Sequence, residues 1–365
     1  MSTARIPFVK PGDVVDDTQK VTTSTWSNNT NELKSGSLFT SSIQAIFSSP
    51  TSSGAFFIDV LNEVSTSTVS STQFSIAYGH KDGSGSLDFT NATNALGNSP
   101  SKVIYNQYRQ LVFGDENKNF SFPGDGSTDA YTSDDIYVIN INRARYKNNL
   151  KPGTLNLVLA SGSSGNHVVL HLTDDSITST GSAVSTNAGR QFNIVSGSSG
   201  IRSGSTNIQV TSSGSYGLFY PDSGFIILNP AALSTGGALS SSNASAKESL
   251  VPVVTNNNAS NNHEKLFNTL TGTSGSFIVD SEETISSKYY FTRVRNNEFN
   301  FTTNPSFIDD DGNLRYTTME NNPKVYITTV GLYNETNDLV AVAKLSQPIA
   351  KDFSKEALIR VKLDY

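Results

Sequence analysis

Short apolar runs, separated by hydroxyl- and amide-rich stretches, set the pattern of this chain, and the period of each run tells strand from helix. Ala55-Phe-Phe-Ile-Asp-Val-Leu61 is a continuous run of strand length, while Gln73-Phe-Ser-Ile-Ala-Tyr78 alternates, with Phe74, Ile76 and Tyr78 on one face. Asp135-Ile-Tyr-Val-Ile-Asn-Ile141 and Thr154-Leu-Asn-Leu-Val-Leu159 also read as strands. Arg143 to Leu150, between them, reads as a short helix ended by Pro152-Gly153. One helix carries all its punctuation. Ser99 is a good N-cap, Pro100 suits the first helical position, Ile104, Tyr108, Leu111 and Val112 form a stripe, and Gly114 stops it. A shorter helix is expected after Ser260, carrying Leu266, Phe267 and Leu270 and ending at Gly272.

Composition shifts near residue 161. Ser161-Gly-Ser-Ser-Gly165 and Ser196-Gly-Ser-Ser-Gly200 read as turns around Val168–Leu172 and Gln191–Val195, followed by strands at Asn207–Val210 and Gly217–Tyr220. Residues 233–262 form a Ser/Asn/Ala-rich low-complexity stretch. Beyond it, Phe277–Val279 and Tyr289–Val294 are strands, with Asn296-Asn297 as a hairpin turn into Phe299-Asn-Phe301. Lys324–Val330 is expected to pair with Leu339–Leu345. The chain closes on strict alternation, with Ile359, Val361, Leu363 and Tyr365 on one face and Arg360, Lys362 and Asp364 on the other.

These elements predict a mainly β protein of about fourteen strands: two or more antiparallel β-sandwich-like domains with a few short helices. The expected division is an extended N-terminal arm over 1–40, a β domain over 41–160 with one helix near 100–113, a Ser/Gly/Asn-rich β domain over 161–272, and a C-terminal antiparallel β domain over 273–365. The last could share a core with 41–160. In the arm, Trp26 is either a docking anchor for a partner or a side chain packed back onto its own domain.

Composition removes several function classes. Ser, Thr and Asn make up about a third of the 365 residues, whereas only 16% are charged, so the surface is neutral and hydrogen-bonding. With 10% aromatics and 36% hydrophobics the chain is too apolar to be disordered throughout. The absence of Cys excludes disulfides, thiolate zinc sites and cysteine catalysis. The net charge of −6 argues against a general nucleic-acid binder. No apolar run approaches the length of a membrane span, and no apolar leader segment opens the chain, so synthesis in a cytosol is expected.

Motifs for chemistry are scarce. The glycine pairs spaced for a nucleophile elbow, Gly79/Gly83 and Gly200/Gly204, hold Lys81 and Arg202 where a serine is required. No Gly-Lys-Ser/Thr phosphate loop occurs, and Gly83-Ser-Gly85 meets Asp88 where a dinucleotide fingerprint needs its third glycine. His167 and His171 fall on a strand-like run, where such positions lie about 13 Å apart and cannot share one ion. Asp309-Asp-Asp-Gly-Asn313 places its glycine too early for a calcium loop and reads as an Asp-Gly turn. Asp125, Asp129, Asp134 and Asp135 form a second acidic cluster, and no carboxylate pair stands out for glycoside hydrolysis. No catalytic residue, cofactor or metal is therefore expected. The one local charge feature is the basic run Arg143, Arg145, Lys147 and Lys151, either a solvated face or a contact for an acidic partner subunit.

One group of proteins shares longer stretches. Tyr289-Tyr-Phe-Thr-Arg-Val-Arg-Asn-Asn-Glu-Phe-Asn-Phe301 with Thr303-Asn-Pro-Ser-Phe307, Tyr326-Ile-Thr-Thr-Val-Gly-Leu-Tyr-Asn334, Leu339-Val-Ala-Val-Ala-Lys-Leu-Ser-Gln-Pro348 and Ala357-Leu-Ile-Arg-Val-Lys-Leu-Asp364 resemble virion structural proteins of T-even-like contractile-tailed phages, especially cyanophages. Asp135–Arg145 and Tyr220–Pro230 are similar to the same group. The resemblance implies a non-enzymatic tail or baseplate component in a virion. Such a component acts as an assembly scaffold, present in several copies and contacting other virion proteins. It brings no catalytic residues. The alternatives it leaves are a host-recognition or fibre-associated protein binding surface glycans, and a neck or capsid accessory protein.

Overall fold

The computed structural model describes residues 6–8, 12–34, 45–48, 57–63, 66–86, 99–124, 130–161, 168–177, 183–202, 212–234, 250–254, 262–301 and 304–365. The protein is mainly β, with 48% of residues in strands and 14% helical, and its large sheets are antiparallel. It divides into two compact units, residues 21–283 and residues 1–20 with 284–365.

The larger unit is organised by one sheet of thirteen strands, curled into a half-barrel. Its path begins with Glu32–Lys34, Ser276–Ile278, Asn156–Ser161 and Val168–Asp174. It continues through Gly189–Ser198, Gly217–Tyr220, Phe225–Leu228 and Asp135–Ile141, and ends on Thr72–His80, Phe57–Leu61 and Ala45–Ser48. The central strands bury both faces, which explains why Phe225–Leu228 and Ile136–Ile139 read as unbroken apolar runs. Alternation along each strand feeds two separate cores. Phe74, Ile76, Tyr78, Tyr137, Ile139 and Ile141 enter one, while Ala77, Ile136, Val138 and Ile227 enter the other.

Helices close both faces. Pro100–Phe113 covers the second core, and its ends are those the sequence announces. Ser99 Oγ accepts from Lys102 N, and Gly114, at φ 65° in the left-handed region, donates its N–H to Gln110 O at 2.9 Å. The buried stripe is Ile104, Tyr105, Tyr108 and Val112, and Leu111 points to solvent. Gly79 lets the helix backbone come close: a Cβ there would stand 2.8 Å from Tyr105 N. The helix Asn262–Thr271 packs Leu266 and Leu270 into the first core. Ser260, its expected cap, lies outside the described residues.

The smaller unit is layered from short pieces. One layer runs Val14–Ser24 (up to Lys20), Asp280–Val294 (from Thr284), then Ala357–Asp364. The other is a hairpin of Val325–Tyr333 and Leu339–Lys351, paired as the apolar pattern predicts, with Val330 opposite Ala343. Its shared core is thin: among the described residues the buried apolar side chains are Val294, Leu332, Ala357, Ile359 and Val361, with Tyr290, Ile327 and Val330 partly buried. Leu363 faces this core as expected, whereas Tyr365 is exposed.

Several expectations need correction. Within residues 1–40, expected as an extended arm, Val14–Ser24 is a paired strand and Glu32–Lys34 joins the edge of the large sheet. Asp16, Asp17 and Lys20 on an edge strand masked its apolar pattern. No domain boundary falls at 160, because Asn156–Ser161 pairs with Val168–Asp174 on one side and Ser276–Ile278 on the other. The C-terminal unit begins at Thr284, not 273, and it is residues 1–20 that share it, not 41–160. Arg143–Arg145 is a single 3-10 turn capped by Asn142, and Asn149–Leu150 is strand rather than helix. Asn296-Asn297 does turn the chain, but Phe299–Phe301 does not return as a strand, since Phe299 sits at φ 54°. Asp309–Asn313 is the expected turn: Asp309 Oδ1 accepts from Asp311 N and Asn313 N, and Ile308 bridges to Leu314. Asn207–Val210, Asp125, Asp129 and His167 lie outside the described residues.

Candidate assembly surface on the smaller unit

The residues singled out as partner contacts go to different places. Trp26 is in the larger unit's core, 3% exposed, its ring against Phe74 and Phe277 and its indole N–H donating to Asn31 O at 3.0 Å and Phe277 O at 3.2 Å. It cannot anchor a neighbour from there. Sequence missed this because the packing partners lie far along the chain. Arg143 donates to Tyr146 O at 2.6 Å and stacks over the Tyr146 ring, and Arg145 donates to Ser27 Oγ. Lys151 Nζ donates to Thr22 Oγ1 at 2.8 Å. The basic run is therefore largely engaged with its own unit, and only Arg143 and Lys147 stand well exposed.

The buried titratable groups serve the fold. Asp135, at the start of a central strand, accepts from Ser133 Oγ and Tyr78 Oη, and burial raises its carboxyl from 3.8 to about 6, with Asp134 adding to the rise. Burial lowers His263, at the start of the Asn262–Thr271 helix, from 6.5 to about 4. The two act oppositely on stability. Below pH 6.5 the unfolded chain protonates His263 before the folded one does, so stability is lost as pH falls from 6.5 toward 4. The folded state protonates Asp135 first, so that group restores stability as pH falls from 6 toward 3.8. Asp135→Asn should therefore gain on the order of 2 kcal/mol at pH 7 and lose stability more steeply toward pH 4, measured by urea unfolding across that range. An acid profile unchanged by the substitution would contradict this assignment.

What remains is the outside of the smaller unit. In the hairpin, Val330, Leu332, Ala341 and Ala343 point inward. The opposite face carries Tyr333, Leu339, Val340 and Val342, the last 60% exposed. Tyr326 is 64% exposed nearer the other end of the same strand. The second layer repeats this: Leu358 is 65% exposed beside Arg360, whose guanidinium lies 5.3 Å from the Tyr289 ring. Among the described residues each hairpin strand pairs on one side only, so two long backbone edges are open. Beneath the hairpin a cleft of about 700 Å³ is lined by Phe8, Val294, Phe299, Leu332 and Ile359. Scattered exposed apolar residues are ordinary; a set of them on one hairpin face over a thin core is a candidate contact surface.

No protein-family model, no curated protein and no solved structure matches the chain. No helix among the described residues is long and apolar enough to cross a membrane.

Proposed function

We propose that the protein is a non-enzymatic structural component of a contractile-tailed phage virion, a scaffold of the tail or baseplate whose smaller unit docks on neighbouring subunits. The observation that carries this reading is the mismatch in the smaller unit, among the described residues, between a core of five buried apolar side chains and an outer surface rich in exposed Tyr, Val and Leu. Such a unit gains from a neighbour the burial that its own layers do not supply. The segments that resemble tail proteins, Tyr289–Phe301, Tyr326–Asn334, Leu339–Pro348 and Ala357–Asp364, are also those that build this unit. Neutral hydroxyl and amide groups around the apolar positions suit subunit contacts, because their desolvation costs less than that of charges.

The test is a double substitution on the outer hairpin face, Tyr333→Ser with Val342→Ser. Both residues are exposed, so stability should change by no more than about 0.5 kcal/mol per site. Incorporation into purified particles, read by mass spectrometry after complementation, should fall at least about tenfold, equivalent to about 1.4 kcal/mol of contact energy. Normal incorporation of the folded variant would refute the surface assignment.

A further inference from the structure

A separate feature of the larger unit lies where the helix Pro100–Phe113 parts from the sheet. Along one face of Thr72–His80, Gly79 lies against the helix backbone at Tyr105, and Ala77 and Ser75 follow on the same face. A hollow of about 300 Å³ opens there, at the small end of the ~300–1,000 Å³ range of small-ligand sites. Strand register sets its floor in two rows. Phe57, Ala77 and Val138 stand opposite one another in the first and are apolar; Ser75 and Asn140 form the next and are polar. Ser75 Oγ donates to Asp59 Oδ1 at 2.5 Å, which leaves the hydroxyl oxygen as an acceptor.

The helix supplies the wall with Val103, Ile104, Gln107 and Tyr108. The amides of Gln107 and Asn140 and the Tyr108 hydroxyl make no hydrogen bond to any described residue. Burial pushes the Tyr108 phenol up to about 12, so it is a donor at neutral pH. Among the described residues no Lys, Arg or His lines the hollow, which disfavours phosphates and carboxylates. The lining thus offers an aromatic and aliphatic floor, two amides that both donate and accept, and a hydroxyl at either side. A ligand with one apolar face and several neutral hydroxyls matches this set.

We propose that this hollow is a binding site for one ring of a neutral sugar. The proposal does not depend on the assembly reading, since the site lies in the larger unit and its test needs no particle. Saturation-transfer difference NMR on the full chain should detect D-glucose, D-galactose, D-mannose or N-acetyl-D-glucosamine in fast exchange. Gln107→Ala, on an exposed helix position where Ala is the best helix former, keeps the fold. It and Asn140→Ala should each raise the dissociation constant at least about tenfold. Three results would overturn the proposal: no signal from any of the four sugars, a signal that both folded variants retain in full, or tighter binding of glucose 1-phosphate than of glucose.

Discussion

Trp26→Ala should cost the larger unit about 3–5 kcal/mol, the largest single-residue effect expected in the protein. The side chain is wedged between Phe74, from Thr72–His80, third from one end of the sheet's path, and Phe277, from Ser276–Ile278, second from the other. Those two rings also touch each other, edge to face at 5.3 Å. Removing the indole opens a cavity where the two ends of the curled sheet converge, and it removes one hydrogen bond each from Phe277 O and from Asn31 O, which Val279 N also reaches. Trp26→Phe separates the contributions: it keeps most of the volume and should lose only about 1–2 kcal/mol through the unmade hydrogen bonds. Because this is the chain's single Trp, unfolding of both variants must be followed by circular dichroism. A midpoint for Trp26→Ala within error of the native protein would mean that this core does not hold the sheet's ends together.

Lys351→Met should loosen the smaller unit by about 2–4 kcal/mol. Lys351 ends the long hairpin strand and is 1% exposed, an unusual place for an ammonium group. Its Nζ donates to Asn296 O at 3.2 Å, to Glu298 O, and to Asn300 Oδ1 at 2.6 Å, so all three protons are used. These bonds hold residues 296–300 in a turn that places Phe299 at positive φ, a conformation a Phe seldom adopts unaided. Met fills the volume of the stem but leaves Glu298 O and Asn300 Oδ1 without this donor, while Asn296 O keeps the Asn300 amide at 2.7 Å. Hydrogen exchange should quicken across 325–351, with the amides of Asp135–Ile141 in the larger unit serving as an unaffected reference. Equal protection in native and variant hairpins would show that the ammonium cage is not what fixes this end of the unit.

The parts of the fold legible in the sequence are those written locally. The helix Pro100–Phe113 declares its cap, its first turn and its stop within sixteen residues. The closing strand shows its buried face by simple alternation, and Asp309–Asn313 shows its turn by the placement of Asp and Gly. What escaped depends on partners distant in the chain. Nothing near Trp26 announces Phe277, 251 residues away, whose carbonyl it bonds. Val14–Ser24 is a strand because a neighbouring strand receives it, although its central Asp-Asp-Thr-Gln-Lys reads as solvent-exposed coil. Ser/Gly-rich composition suggested a boundary near 160 where the chain only turns within one sheet. Lys351 gave no signal at all, since a lysine in an alternating strand is ordinarily a surface residue. The candidate assembly surface was half legible: the alternation of Leu339–Leu345 identified an inward and an outward face, but the thinness of the core behind it appears only once the layers are assembled.

The most direct test of the structural role is a cryo-electron microscopy map of purified, salt-washed particles in which this chain is located by a small fused tag. The expected result is ordered density for the chain at the tail or baseplate, repeated with the tail's symmetry, with the Tyr333, Val342 and Leu358 faces covered by neighbouring subunits. Absence of the chain from washed particles, or a position that leaves those faces in solvent, would contradict it.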